Sequence, residues 1–274
     1  MNRIVERFGR LRSRGQKGLV IYIGAGDPDL AATQRLALAF DKAGVDILEL
    51  GVPFSDPLAD GPAIQRSSER ALRSGTTLAG VLDLVASIRR KSDVALVLFS
   101  YYNPVLQMGL ETFADRAAAA GADGVLITDL TPEEADDYRR IVGGRGLDTI
   151  FLAAPTSPDE RLVKIAAHTS GFLYLISRTG VTGTKDTLPE ELPGVVRRVR
   201  KVTSLPIAVG FGVSLPGHVS VLGGLADAAV VGSALVQEIE GASDVEAARA
   251  AVAERVRILK QAGLKGMSRR EPGQ

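Results

Sequence analysis

The 274-residue chain carries 33 Lys and Arg against 32 Asp and Glu, so its formal net charge is only +1. This charge is too small to attract nucleic acid or an anionic membrane surface, and we expect neither as a partner. The sequence has no cysteine and two histidines, which excludes disulfides, thiolate metal sites and a histidine zinc cluster. Chemistry must therefore come from carboxyl groups, hydroxyls, Lys, Arg and backbone amides acting on a small-molecule substrate, and we predict no metal.

Neither the apolar runs nor the start of the chain predicts a membrane span or a targeting segment. The longest apolar stretches are residues 94–99 and 228–236, the second of which is broken by Gly232 and Ser233. Both fall well short of the ~18 residues needed to cross a bilayer. The basic segment 1–17 has Ile4, Phe8 and Leu11 at helical spacing, which indicates an amphipathic helix docked on the rest of the protein. We therefore expect a cytoplasmic protein without a membrane partner.

Eight short apolar runs, rich in β-branched residues and leucine, recur along the chain. They occupy residues 19–23, 46–50, 94–99, 124–128, 149–153, 172–176, 207–209 and 228–231. Segments with apolar residues at helical spacing lie between them, as in Leu78, Val81, Val85 and Ile88. Strands that are apolar throughout are typical of a parallel sheet buried on both faces.

The regular alternation of these strands and helices predicts the fold class. Eight strand–helix units without a linker favour a single α/β domain, a (β/α)8 TIM barrel over residues 1–264, with an extra N-terminal helix. Residues 265–274 are predicted to form a flexible C-terminal tail. The alternative is an open, doubly wound sheet, which is disfavoured because no G-x-G-x-x-G motif opens the first helix.

The second predicted strand carries an acidic residue in an apolar setting. Side chains alternate along a strand, so Val45, Ile47 and Glu49 are expected on one face. A glutamate is almost never buried without a partner or a role. Burial would raise its pKa toward neutrality, where it could both give and take protons. Two interpretations remain open at this stage, a catalytic acid–base group or a glutamate paired with a buried arginine.

A long loop at residues 51–62 follows this strand and presents two more carboxyl groups, Asp56 and Asp60. Its prolines stiffen it, and Asp60 can fold back beside Glu49, which would place two carboxyl groups in different environments. The simpler interpretation is that both aspartates cap turns, because Asp before Gly is a common turn former. A metal site made of Asp27, Asp56 and Asp60 is a third possibility, without ligand spacing to support it.

Glycine-bearing segments follow the last three predicted strands. They are residues 180–183, 210–214 and 232–233. Barrels frequently bind phosphate with the loops after strands seven and eight, through backbone amides at a helix start. Three such segments at neighbouring strand ends predict a phosphate site, and residues 177–193 are predicted to form a lid. A single glycine would indicate only a turn.

Four aromatic residues lie near the carboxyl ends of predicted strands, where barrels place their active sites. They are Tyr22, Tyr101, Tyr174 and Phe211. Together they predict a slot for a flat apolar group. With the phosphate site and the two carboxyl groups, this slot predicts a substrate that has a planar ring and a phosphorylated tail.

Six motifs lie at or beside these strand ends. They are E-L-G-V-P-F-S-D-P-L-A-D-G-P at 49–62, A-G-D-P at 25–28, Y-Y-N-P at 101–104, S-R-T-G-V-T-G at 177–183, G-F-G at 210–212 and V-G-S at 231–233. Together they resemble the tryptophan synthase alpha chain family. The resemblance implies a TIM barrel lyase that cleaves indole-3-glycerol phosphate to indole and glyceraldehyde 3-phosphate in tryptophan biosynthesis, without a cofactor of its own. It also implies a partner, the pyridoxal-phosphate beta chain, in an alpha2beta2 heterotetramer.

The resemblance implies a role for each candidate site residue. Glu49 would move protons between the glycerol hydroxyl and indole C3, and Asp60 would accept a hydrogen bond from the indole N–H. The phosphate ligands would be Gly183, Gly212, Gly232 and Ser233. The residues around the indole would be Tyr22, Tyr101, Tyr174 and Phe211, with Thr182 closing over Asp60. The surface toward the beta chain would include Pro53, Asp56, Pro57, Asn103 and Pro104.

Three positions depart from the pattern common in that family, namely Ile21, Ser100 and Thr131. None of them removes a catalytic group, but Ser100 is expected to change the polarity of the pocket. Two other functions remain possible from the sequence. One is a different barrel enzyme acting on indole or pentose phosphates, and the other is a binding and activating subunit with little activity of its own.

Overall fold

A computed structural model describes residues 2–177, 188–210 and 212–265 of the chain. Its strands are Gly18–Gly24 (β1), Ile47–Gly51 (β2), Ala95–Ser100 (β3), Gly124–Ile127 (β4), Asp148–Ile150 (β5), Leu152–Ala153 (β6), Leu173–Ile176 (β7), Ile207–Gly210 (β8) and Ala228–Val231 (β9). Neighbouring strands are parallel and follow the order β5-β4-β3-β2-β1-β9-β8-β7-β6. Each predicted apolar run therefore contributes to one continuous sheet.

The sheet closes on itself because its two ends are halves of one barrel strand. Only Phe151 separates β5 from β6, and β5 pairs with β4 whereas β6 pairs with β7. The predicted strand at 149–153 is thus interrupted at Phe151, where the chain changes its pairing partner. Eight barrel strands result, and the predicted (β/α)8 barrel is confirmed.

Helices surround the barrel. They are Arg3–Ser13 (α1), Leu30–Ala43 (α2), Pro62–Arg73 (α3), Leu78–Arg89 (α4), Tyr102–Met108 (α5), Leu110–Ala120 (α6), Asp136–Gly144 (α7), Asp159–His168 (α8), Leu192–Val202 (α9), Pro216–Leu225 (α10), Ser233–Gly241 (α11) and Val245–Lys265 (α12). Among the described residues no single helix is both long and apolar enough to cross a bilayer, and the one pair that qualifies together, α3 with α4, bends by 95°. The C-terminal tail is predicted to begin at Lys265, but this residue is the last of α12. Residues 266–274 lie outside the described residues.

The predicted N-terminal helix α1 closes the amino-terminal end of the barrel. Ile4, Phe8 and Leu11 are buried and belong to the apolar cluster that fills the barrel interior. A Cβ added at Gly18 or Gly124, the first residues of β1 and β4, would meet Leu11 and Ile4 at 3.2 and 3.0 Å. The barrel interior is therefore closed at its amino-terminal end, and only the carboxyl ends of the strands are left for a substrate site.

A second apolar cluster fills the layer between the barrel and its helices. Leu48 and Leu50 of β2 point into this layer, whereas Ile47 points into the barrel interior. Val45 also packs in the outer layer, so its predicted place on the same face as Ile47 is wrong. Val45 precedes β2, and the alternation of side chains applies only inside the strand.

Aspartates at the amino-terminal ends of strands tie each strand to an earlier one. The carboxylate of Asp46 accepts a hydrogen bond from the Leu19 N–H at 2.7 Å, and that of Asp123 accepts one from the Leu96 N–H at 2.9 Å. Asp123, which is 3 % exposed, also binds the guanidinium of Arg89 at 2.8 Å. These contacts join neighbouring strands to each other and to helix α4 at the amino-terminal end of the barrel.

Replacing Asp123 with alanine is expected to lower the free energy of unfolding by about 3 kcal/mol, because it leaves the half-buried guanidinium of Arg89 without its carboxylate. Urea unfolding followed by circular dichroism measures this loss. The matched control is Asp83→Ala, which removes an exposed carboxylate 3.7 Å from Arg116 and should cost less than about 0.5 kcal/mol. Equal losses in the two variants would contradict the assigned role of Asp123.

Candidate active site

Glu49 lies inside the barrel near the carboxyl end of β2. The inward direction of Ile47 and the alternation along the strand place the Glu49 side chain in the interior as well. The residue is 0 % exposed, and neither carboxyl oxygen has a hydrogen-bond partner among the described residues. Burial raises the pKa of Glu49 to about 8. The group is therefore protonated at neutral pH and is not paired with an arginine of the described chain.

Asp60 ends the loop that follows β2 and folds back over the barrel. It is 8 % exposed, and its Oδ2 accepts a hydrogen bond from the Tyr101 hydroxyl at 3.0 Å. The Tyr101 oxygen in turn accepts one from the Ala59 N–H at 3.0 Å. Burial raises the pKa of Asp60 to about 6, against the opposite effect of the Tyr101 hydrogen bond. At neutral pH this carboxyl is mostly ionised while Glu49 keeps its proton.

The three predicted pocket tyrosines, Tyr22, Tyr101 and Tyr174, are buried near these carboxyl groups. The ring of Tyr22 meets Phe99 edge-on with centroids 5.1 Å apart, and Tyr101 lies 5.1 Å from Phe54. Burial raises the pKa of Tyr22 and Tyr174, and the Glu49 carboxyl raises both further. Their hydroxyls are therefore neutral in the working range of pH.

The described part of the predicted phosphate site lies at the carboxyl ends of β8 and β9. Gly212 has φ +85°, a left-handed conformation that favours glycine. Gly232 and Ser233 stand at the start of α11, where the first amides have no partner inside the helix. A Cβ added at Gly232 would lie 3.2 Å from the Cβ of Tyr22, so the predicted phosphate glycine lies against a residue of the predicted indole pocket.

Three predicted site residues, Thr182, Gly183 and Phe211, lie outside the described residues. Of the predicted lid at 177–193, residues 178–187 lie outside as well. The roles of these residues and the lid therefore stay predictions.

Sequence reasoning did not single out an ionic network that joins three segments of the site. The guanidinium of Arg70 on α3 binds both oxygens of buried Asp27 at 2.7 Å and Glu240 of α11 at 2.6 Å. Arg66 binds Glu240 as well, at 2.8 and 2.7 Å. Charged residues on helices usually face solvent, so no local pattern indicates these contacts. The network fixes α3, which follows Asp60, against α11.

The same network argues against the metal site considered from the sequence. Both carboxylate oxygens of Asp27 are engaged by Arg70, and Asp60 is bound by Tyr101. Within the described ranges, no three His, Asp or Glu side chains come together in a way that could hold a metal ion.

The residues predicted to face a partner lie at the rim beside the site. Asp56 and Asn103 are exposed, Pro57 and Pro104 are half-buried, and Pro53 is buried. Leu58, which the sequence analysis did not select, is 88 % exposed on the same loop. Leu58 follows Pro57 directly and adds an apolar side chain to this rim.

Ser100 does not add a polar group to the cavity. It is 1 % exposed, and its hydroxyl donates a hydrogen bond to the Tyr101 carbonyl oxygen at 3.0 Å. The Ser100 hydroxyl is thus satisfied by the backbone, and the expected change of pocket polarity does not occur.

Two carboxyl groups of different pKa, at the carboxyl ends of barrel strands and lined by neutral tyrosines, define a (β/α)8-barrel enzyme that works by acid–base chemistry. The family model described as "Tryptophan synthase alpha chain" matches residues 8–264. The chain belongs to the tryptophan synthase alpha chain family.

Individual relatives agree with this assignment. The chain is 49 % identical to the tryptophan synthase alpha chain of Geotalea daltonii over 246 residues, which cover 90 % of this chain and 93 % of that protein. It is 50 % identical to that of Solibacter usitatus over 240 residues, or 88 % of this chain and 90 % of the other. The crystal structure of tryptophan synthase subunit alpha from Legionella pneumophila is similar with a TM-score of 0.89 and 37 % identity, over 96 % of this chain and 98 % of that one.

The activity of the family is the cleavage of indole-3-glycerol phosphate to indole and glyceraldehyde 3-phosphate, a carbon–carbon lyase reaction of tryptophan biosynthesis, and this is the activity of the chain. Of the functions left open by the sequence, the lyase is therefore the one supported.

Proposed function

We propose that Glu49 and Asp60 carry out the cleavage of indole-3-glycerol phosphate in this chain. The observation that carries the proposal is the state of Glu49, which is fully buried, without a hydrogen-bond partner among the described residues, and shifted to a pKa of about 8. A carboxyl group held in this way has its proton available at neutral pH and can take another back.

Glu49 first gives its proton to indole C3. The carboxylate that results then takes the proton of the adjacent glycerol hydroxyl as the bond from C3 to the glycerol carbon breaks. The electrons of that bond return to the indole ring, the hydroxyl becomes the aldehyde, and Glu49 is protonated again. One residue thus completes the proton cycle, with no net gain or loss of protons.

Asp60 stabilises the positive charge that forms on the ring when C3 is protonated. Its pKa of about 6 leaves it ionised at neutral pH, so it can accept a hydrogen bond from the indole N–H as the charge develops. The Tyr101 hydroxyl, 3.0 Å from Oδ2, holds the carboxylate in place.

The phosphate end of the substrate is held by backbone amides. Gly212 and the start of α11 at Gly232 and Ser233 lack bulky side chains at the carboxyl ends of β8 and β9, and free amides at a helix start bind anions. Gly183 would complete this end from the lid, Thr182 would close over Asp60, and Phe211 would join the wall of the indole pocket. This binding fixes the ring against the carboxyl groups, which lowers the entropy cost of the reaction.

The proposed steps move only protons and need no cofactor bound to this chain. We expect pyridoxal phosphate only on a partner beta chain, which would use the released indole. Exposed Leu58, Asp56 and Asn103 beside the site support docking of that partner at the rim, and an alpha2beta2 heterotetramer is the proposed assembly.

The direct test is release of indole from indole-3-glycerol phosphate by the purified chain, measured with and without an added beta chain. Slow release by the chain alone and faster release with the partner would support both the lyase and the docking. No release in either case would contradict the proposed roles of Glu49 and Asp60. Release only with the partner would support the activating subunit instead.

The value of kcat/KM is expected to form a plateau between about pH 6 and about pH 8. It rises through the Asp60 pKa of about 6, because the ionised form is required, and falls through the Glu49 pKa of about 8, because the protonated form is required. Initial rates at low substrate across this range measure both limbs. Activity that keeps rising above pH 8 would contradict the acid role of Glu49.

A further inference from the structure

Tyr22 stands directly beside Glu49 on the neighbouring strand. The two residues are register partners in the parallel pair of β1 and β2. The Tyr22 ring is fixed by Phe99, which it meets at an interplanar angle of 77°. Its position is therefore set by the barrel itself rather than by a loop.

The Tyr22 side chain extends from the predicted phosphate site toward the carboxyl groups of the site. The Cβ end of this side chain contacts Gly232, where an added Cβ would lie 3.2 Å from the Tyr22 Cβ. Its hydroxyl lies over Gly51, where an added Cβ would be only 2.1 Å from the hydroxyl oxygen. A substrate chain that links a phosphate at Gly232 to a ring at Glu49 and Asp60 must run along the same path.

The Tyr22 hydroxyl has no hydrogen-bond partner among the described residues. The residue is 9 % exposed, and its hydroxyl makes no hydrogen bond with any of residues 2–177, 188–210 or 212–265. Its hydrogen-bonding capacity is therefore available to a bound ligand. Burial and the nearby carboxyls of Asp60 and Glu49 raise its pKa, so it remains a neutral hydrogen-bond donor.

We propose that the Tyr22 hydroxyl donates a hydrogen bond to the substrate hydroxyl from which Glu49 takes a proton. This inference rests on the proposed function and adds a second polar contact, beside that of Glu49, to the hydroxyl of the reacting carbon. The bond strengthens as that oxygen loses its proton. Tyr22 thereby orients the hydroxyl toward Glu49 while its ring supports the glycerol chain.

The test is Tyr22→Phe, which removes the oxygen and keeps the ring. We expect kcat for indole-3-glycerol phosphate to fall about tenfold, the worth of one hydrogen bond, with little change in KM. A substrate analogue that carries a propyl phosphate chain on indole in place of the glycerol phosphate has the ring and the phosphate but no hydroxyl. Its binding is measured in parallel by calorimetry. We expect the variant and the parent chain to bind this analogue equally.

The matched control is Tyr138→Phe, which removes a buried hydroxyl that donates to the Val125 carbonyl at 3.1 Å in the outer layer. Its kcat should equal that of the parent chain. An unchanged kcat in Tyr22→Phe, or weaker binding of the analogue that accounts for the whole loss, would overturn the proposal. The parent chain is assayed alongside the variants. If the proposed function itself is wrong, the parent chain releases no indole, and this outcome is distinct from an effect of Tyr22→Phe.

Discussion

Replacing Glu49 with glutamine is expected to lower kcat for indole release about a thousandfold, within the range typical of a single acid–base group. Glutamine has the shape of the protonated carboxyl and cannot transfer a proton. Because Glu49 already carries its proton at neutral pH, with a pKa of about 8, the substitution adds no buried charge. KM and the melting temperature should therefore stay close to those of the parent chain.

Steady-state kinetics and thermal unfolding of the same preparation measure these effects. The matched control is Glu254→Gln on the exposed face of α12, where the carboxylate pairs with Arg257 at 2.9 Å. This control should keep full activity. Glu49→Gln with more than about a tenth of the parental kcat would contradict the proton cycle assigned to Glu49.

Replacing Asp60 with asparagine is expected to lower kcat about a hundredfold, in the range found for loss of one electrostatic contact to a transition state. Asparagine can still accept hydrogen bonds from Tyr101 and the indole N–H, but it lacks the negative charge that opposes the charge on the protonated ring. KM should change little, because the phosphate and ring contacts remain. The acid limb of the pH profile near the Asp60 pKa of about 6 should disappear.

The pH profiles of kcat/KM for Asp60→Asn and for the control Asp93→Asn test this account. Asp93 is exposed, 3.7 Å from Arg3 at the opposite end of the barrel, and its replacement should leave the profile unchanged. An acid limb that persists in Asp60→Asn would belong to another group, such as the substrate phosphate. Parental activity in that variant would contradict the electrostatic role of Asp60.

The architecture was largely predictable from the sequence because barrel strands are buried on both faces and read as apolar runs. The interruption at Phe151 was not predictable in this way, since it arises where one strand changes its partner from β4 to β7. Both halves are apolar, so no local pattern marks the change. The placement of Val45 failed for a related reason, because the sequence does not show at which residue the alternation begins.

The candidate site was predictable only in part. The alternation in β2 and the apolar residues around Glu49 indicated a buried carboxyl, but the choice between a catalytic group and an arginine pair required the three-dimensional contacts. The bond from Tyr101 to Asp60 joins residues 41 positions apart, and that from Arg70 to Glu240 joins residues 170 positions apart. Such contacts depend on which strand ends the fold brings together.

The measurement that tests the central claim most directly is the titration of Glu49 itself. Infrared difference spectra between the parent chain and Glu49→Gln, recorded without ligand from pH 4 to pH 10, isolate the carboxyl band of this residue. The account predicts a protonated carboxyl at neutral pH that ionises at about pH 8. A carboxylate already ionised at pH 6 would contradict it.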